Sequence, residues 1–140
     1  MVRSRFEDLR AWRDMFALAM DISRLCRRFP PYERFDLTFQ LRRSARSVHA
    51  NLAEGVGSQT ASTFLRHIGI ALGSLAETEN HLLVARAEGY ITPKGCEALR
   101  ERAQAVRGLI TRLGRSMRRA VGPPVRAWSP PRPERPPETS

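Results

Sequence analysis

Residues 61–88 read ASTFLRHIGIALGSLAETENHLLVARAE, and this stretch decides the fold. Phe64, Ile68, Ala71, Leu75, Thr78, Leu82 and Ala85 recur at alternating intervals of four and three. That is the seam of a helix packed into a coiled bundle. Leu65, Ile70, Leu72 and Leu83 lie off the seam, and no charged residue occurs from His67 to Ala76. A helix apolar on more than one side is buried on more than one side. The segment is therefore expected to be central in the fold or part of a subunit interface. Gly69, Gly73 and Ser74 would let a neighbouring helix approach closely.

The pattern extends outward in both directions. Gly89 follows as a helix-terminating residue, and Thr92-Pro93 reads as cap and first position of the next helix, where proline's missing N–H is harmless. That fourth helix carries Cys96, Leu99, Ala103, Val106, Ile110, Leu113 and Met117 at the same alternation. Upstream, Ser58, Thr60 and Ser62 are candidate caps. Before them a second helix, capped by Asp36, aligns Leu37, Leu41, Ala45, Val48 and Leu52, with Arg42, Arg43 and Arg46 off that face. It is expected to end near Gly55, with Gly55 and Gly57 free to take the left-handed conformation. A first helix, about Glu7 to Arg28, repeats Leu9, Trp12, Phe16, Ala19, Ile22 and Cys26 until Phe29-Pro30-Pro31 stops it.

Four long amphipathic helices joined by short turns predict an all-α, antiparallel up-down-up-down four-helix bundle, roughly 40 Å long at 1.5 Å per residue. It occupies residues 1–120. From Gly122 to Ser140 there are seven prolines and no apolar period, so residues 121–140 read as a Pro/Arg-rich disordered tail. Pro130 to Pro133 could attract a proline-binding domain, or the tail could be solvated only.

With 140 residues, 41% hydrophobic and 27% charged, the chain is long enough for one domain with a real core. No apolar run could span a bilayer and the first residues do not resemble a secretory signal, which predicts a cytoplasmic protein with no membrane partner. The net charge is +10, and 23 of the 24 basic residues are arginine. Arginine's planar fork suits phosphate, although an Arg-rich composition could equally fill solvated helix faces.

The charge is concentrated in the fourth helix. Residues 89–119 hold Lys94 and seven Arg against Glu97 and Glu101, a net of +6. Arg100, Arg107 and Arg118 fall within roughly 20° of one another on a helical wheel. Arg112, Arg115 and Arg119 lie further round. These six are the candidate nucleic-acid-binding residues, reading backbone rather than base. The alternative is a solvated face, partly paired with acids of the first helix such as Asp14 or Asp21. The aromatics Trp12, Phe16, Phe29, Phe35, Phe39 and Phe64 are expected to pack in seams or at helix ends.

Catalytic constellations are absent from the sequence. A di-iron bundle needs Glu-x-x-His pairs on two helices, and none occurs. Glu77 and His81 are spaced as a local polar pair. His49 and His67 have no triad partners at a suggestive spacing, Cys26 and Cys96 lack metal-ligand spacing, and no Gly-rich phosphate loop is present. The expectation is no catalysis, no metal and no cofactor.

The stretch Ser47-Val-His-Ala-Asn51-Leu-Ala-Glu54-Gly55 resembles a signature of the small bacterial four-helix-bundle proteins first noticed as products of intervening sequences in large-subunit ribosomal RNA genes. Phe6-Glu-Asp-Leu9-Arg-Ala-Trp12, Phe29-Pro30, Gln40-Leu-Arg-Arg43, Ile70 to Glu77, and Glu88-Gly-Tyr-Ile91 resemble further parts of that family in order. The likeness covers about residues 6–119. Relatives of the family include the accessory variability determinant proteins of diversity-generating retroelements. Those are basic homopentameric bundles that bind nucleic acid and engage a reverse transcriptase.

The resemblance thus implies a homopentamer, a nucleic-acid partner (RNA or DNA) and a reverse transcriptase. Asn51, Glu54 and Gly55 are read as a structural turn, the first two hydrogen-bonding and the third supplying the backbone conformation. The alternative to nucleic-acid binding is a protein interaction or assembly module.

Overall fold

The computed structural model describes residues 5–122, and among them every regular element is helical. The helices are α1 (Arg10–Cys26), α2 (Leu37–Gly57), α3 (Ala61–Ala87) and α4 (Pro93–Val121). Each packs on its sequence neighbours, and α1 meets α4 to close the ring, while the diagonal pairs α1/α3 and α2/α4 make no close backbone approach. This is the four-helix bundle that the periodicity implied.

The core is built from the expected seams. Met15, Leu18, Ile22, Leu41, Val48, Leu52, Leu75, Leu82, Val106 and Ile110 are its largest wholly enclosed apolar side chains. All seven seam positions of α3 are buried. Gly114 is also buried, close to Ile68, where a larger residue would crowd the α3/α4 contact. The off-seam residues of α3 differ: Leu65, Leu72 and Leu83 are half-buried, whereas Ile70 is 41% and Val84 39% exposed. Within one chain α3 is thus not central. It touches α2 and α4 and leaves an outward face.

Helix ends follow cap chemistry in most places. Thr60 Oγ1 accepts from Thr63 N at 3.1 Å, and Thr92 Oγ1 from Gly95 N at 2.9 Å, with Pro93 in the first position. At the end of α3, Gly89 takes φ 80, and the N–H groups of Gly89 and Tyr90 donate back to Arg86 and Ala85 at 3.0 and 2.9 Å. That is a Schellman closure, which recovers two carbonyls the helix would otherwise leave unpaired.

Four boundaries depart from expectation. Phe6–Asp8 form a separate 3-10 turn, so α1 starts at Arg10, and it ends at Cys26 rather than Arg28. Asp36 makes no capping bond; Glu33 Oε2 instead accepts from Leu37 N at 3.2 Å. Gly55 does not end α2 and is not left-handed, since α2 continues to Gly57 and the described glycines with positive φ are Gly89 and Gly122. The expected tail begins with Val121 as the last residue of α4; residues 123–140 lie outside the described residues.

Candidate nucleic-acid interface

The six arginines singled out on α4 divide into two groups. Arg107 Nη2 lies 3.3 Å from Glu79 Oε2, and Arg100 Nε 4.0 Å from Glu79 Oε1 with its Nη1 3.9 Å from Glu97. Glu79 is only 8% exposed, in the α3/α4 interface, where Gln104 Nε2 donates to it at 2.6 Å. A carboxylate there needs compensating charge, so these guanidiniums are drawn inward. Arg102 bridges α4 to α1 nearer the surface, pairing with the half-exposed Asp21 at 2.8 Å. Its hydrogen bond is the main reason the Asp21 carboxyl is held below its ordinary value.

Arg112, Arg115, Arg118 and Arg119 behave differently. All four are exposed, and among the described residues no carboxylate lies within 4 Å of them. They mark the last three turns of α4 as a surface of uncompensated positive charge.

A second basic surface lies at the start of α2 and was missed in the sequence. Arg34, Phe35, Thr38, Phe39, Arg42, Arg43 and Arg46 line a groove of about 410 Å³. Phe35 is 85% and Phe39 50% exposed, which overturns their expected place in the core. Phe16, also expected in a seam, is 40% exposed and stacks on Trp12 at 4.8 Å. The Arg34 guanidinium sits 5.3 Å from the centre of the Phe35 ring, within cation–π range. The groove's arginines likewise have no carboxylate within 4 Å among the described residues, and Arg42 Nε is enclosed without a hydrogen-bond partner. Because neighbours run antiparallel around the ring, the start of α2 and the end of α4 lie at opposite ends of the bundle, on helices whose backbones make no close approach.

Asn51, Glu54 and Gly55 do not form the expected turn: they lie within α2 and dock it against α3. Asn51 Nδ2 donates to Ser47 O at 2.8 Å, while its Oδ1 accepts from His67 Nδ1 at 3.0 Å. Glu54 Oε2 lies 3.6 Å from the same His67 nitrogen. Polar rungs continue along the interface: Ser47 to Ser74 at 2.8 Å, and Thr78 to Ser44 at 3.0 Å. Gly55 completes the device sterically, because a Cβ there would run into the ring of Phe64. Asn51, Glu54 and Gly55 all face α3, and the partners His67 and Phe64 lie too far along the chain for local spacing to reveal them.

Neither cysteine nor histidine chemistry assembles a reactive centre. Among the described residues no three His, Cys, Asp or Glu side chains cluster to hold a metal. Cys26 and Cys96 are buried, and burial pushes the Cys26 thiol up to about 11 against the opposing pull of Arg42. His81 Nε2 lies 3.3 Å from Glu77, the expected local pair. His49 packs edge-on to Phe16 at 5.4 Å, with Nε2 enclosed and unpartnered. Burial, and secondarily Arg46, hold its imidazole below the ordinary value. No described helix is long and apolar enough to cross a membrane.

Comparison with known proteins matches residues 7–112 to the model of the 23S rRNA-intervening sequence protein family. In fold the chain is similar to a crystal structure from Bacteroides thetaiotaomicron VPI-5482, a protein of unknown function from the S23 ribosomal protein family. The two superpose with a TM-score of 0.70 at 24% identity, covering 75% of this chain and 95% of that one. No curated protein matches at a significant level.

Proposed function

The chain belongs to the 23S rRNA-intervening sequence protein family, and on that premise we propose that it is a non-catalytic cytoplasmic bundle that binds the phosphate backbone of RNA or DNA. The observation that carries this reading is the set Arg112, Arg115, Arg118 and Arg119, exposed and without a carboxylate within 4 Å among the described residues. Arg100 and Arg107 stand behind them as structural cations bound to Glu79. The name of the family, drawn from intervening sequences in 23S rRNA, supports an association with RNA. Like the accessory variability determinant proteins, it would serve as an accessory to a reverse transcriptase and assemble as a homopentamer. Support for assembly comes from the outward face of α3, where Ile70 and Val84 stand exposed. The same face favours the second reading, a protein assembly module whose arginines bind no nucleic acid.

Salt separates the two. Neutralising four phosphates of a duplex makes log affinity fall with log salt at a slope of roughly −3 to −4. Binding of purified protein to duplex DNA and to a structured RNA across a salt series, beside Arg112→Glu with Arg119→Glu, is expected to show that slope and its reduction in the variant. Absence of binding at low salt would leave the assembly reading.

A further inference from the structure

We propose that the groove on α2 is a binding site for single-stranded nucleic acid, in which Phe35 and Phe39 stack on bases while Arg34, Arg42, Arg43 and Arg46 hold phosphates. This rests on the nucleic-acid reading above and names the form of nucleic acid that one of the two basic surfaces takes.

Burying a phenylalanine side chain is worth about 1.5–3 kcal/mol, yet Phe35 and Phe39 remain 85% and 50% exposed beside a well-filled core. Packing within the chain therefore does not account for them. Phe39, Arg42 and Arg46 are spaced by three and four within α2, which sets them on one face, and Phe35, two residues before the helix, lines the same groove. Within the helix the stripe from Phe39 to Arg46 spans seven steps of about 1.5 Å, roughly 10 Å. At about 3.4 Å between phosphates of one stacked strand, that is about three nucleotides.

Rings and cations line the same groove, the combination by which proteins hold single strands without reading sequence. The Arg34 guanidinium, 5.3 Å from the Phe35 ring centre, brings any phosphate it binds beside a stacking surface. A duplex cannot use the site in the same way, because its bases are already stacked on one another. Direct face-to-face pairing of two copies is also disfavoured, since it would gather eight arginines with no acid lining the groove.

The surface at the end of α4 carries four arginines and, among the described residues, no exposed ring, which makes it a plain backbone contact. The two surfaces should thus respond to different substitutions.

The test is fluorescence anisotropy on the full chain with a labelled ten-nucleotide oligouridylate and with a labelled RNA duplex. The variants are Phe35→Ala, Phe39→Ala, Phe39→Leu and Phe39→Trp. Loss of each ring is expected to weaken oligouridylate binding by roughly 5- to 150-fold, the range for base–aromatic stacking, with duplex binding unchanged. Tryptophan should keep the affinity and leucine should not, because only the former offers a π-face. Arg43→Ala with Arg46→Ala should flatten the single-strand salt slope by about 1.4, at roughly 0.7 per phosphate.

If the wild-type protein binds neither probe, the nucleic-acid reading itself fails. If it binds both and the ring variants change neither, the inference fails while that reading stands. If ring loss instead alters only the sedimentation coefficient, a second copy covers the face and the inference is overturned.

Discussion

Gly55→Ala places a methyl group where the ring of Phe64 already lies. The Cβ position overlaps that ring, with Cε2 at 2.5 Å and the His67 Cβ at 3.4 Å. Phe64 is buried at the α2–α3 turn, so its ring must shift to admit the methyl group. Two effects oppose each other. The backbone at Gly55 is helical, so alanine removes a glycine penalty of about 0.5–1 kcal/mol. Overpacking a filled site costs about 1–3 kcal/mol. The net expectation is destabilisation by about 1–2 kcal/mol, a fall in Tm of about 3–8 °C for a domain of this size.

Gly108→Ala is the control. Gly108 lies inside α4, and the nearest atom to its Cβ position is the flexible end of Arg112 at 3.8 Å. Alanine there is expected to stabilise by about 0.5–1 kcal/mol. Thermal denaturation followed by far-UV circular dichroism, at one fixed protein concentration, compares the two. In a Phe64→Leu background the penalty at Gly55 should shrink, giving a measurable coupling energy. If Gly55→Ala raises Tm as Gly108→Ala does, close approach of the ring is not why glycine stands there.

Three further outcomes are expected. Glu79→Gln should destabilise by about 1–3 kcal/mol in urea unfolding, because the charge facing Arg100 and Arg107 is lost. The same change should raise low-salt RNA affinity, and unchanged affinity would mean that those guanidiniums cannot turn outward. The depressed His49 imidazole means that the unfolded chain binds the proton more readily, so its contribution to stability is full above about pH 6.5 and is lost as pH falls toward the folded value; His49→Leu should flatten Tm over that window, and identical pH profiles would refute the reasoning. Cys26 and Cys96 should resist iodoacetamide at pH 8 in the folded protein and react in denaturant; rapid labelling of the native state would contradict their burial.

The seams and caps were legible because each is written in local spacing. All seven α3 positions are buried, Thr60 and Thr92 begin helices and Gly89 ends one, through chemistry visible in three or four residues. The role of Gly55 was not legible, since the demand for a missing side chain comes from Phe64 on the next helix. Nor could spacing reveal that Glu79 claims Arg107, 28 residues away. Phe39 was readable and was misread. At about 100° per residue it lies about 200° from both Leu37 and Leu41, on the face opposite the seam. The aromatic, basic groove follows from that wheel.

The α2–α3 connection is three residues long, and polar rungs line the interface that it closes. This sets an order of assembly. Closing so short a loop carries little entropic penalty, whereas the α1–α4 seam, held by Asp21 and Arg102 at a separation of 81 residues, must wait for the rest of the ring. Substitutions at Ser44 or Thr78 should therefore slow folding, while loss of Asp21 should mainly hasten unfolding. Native-state hydrogen exchange should find the amides along α1 opening before those of α2 and α3. Force applied to the two chain ends would part α1 from α4 first and leave the central hairpin joined.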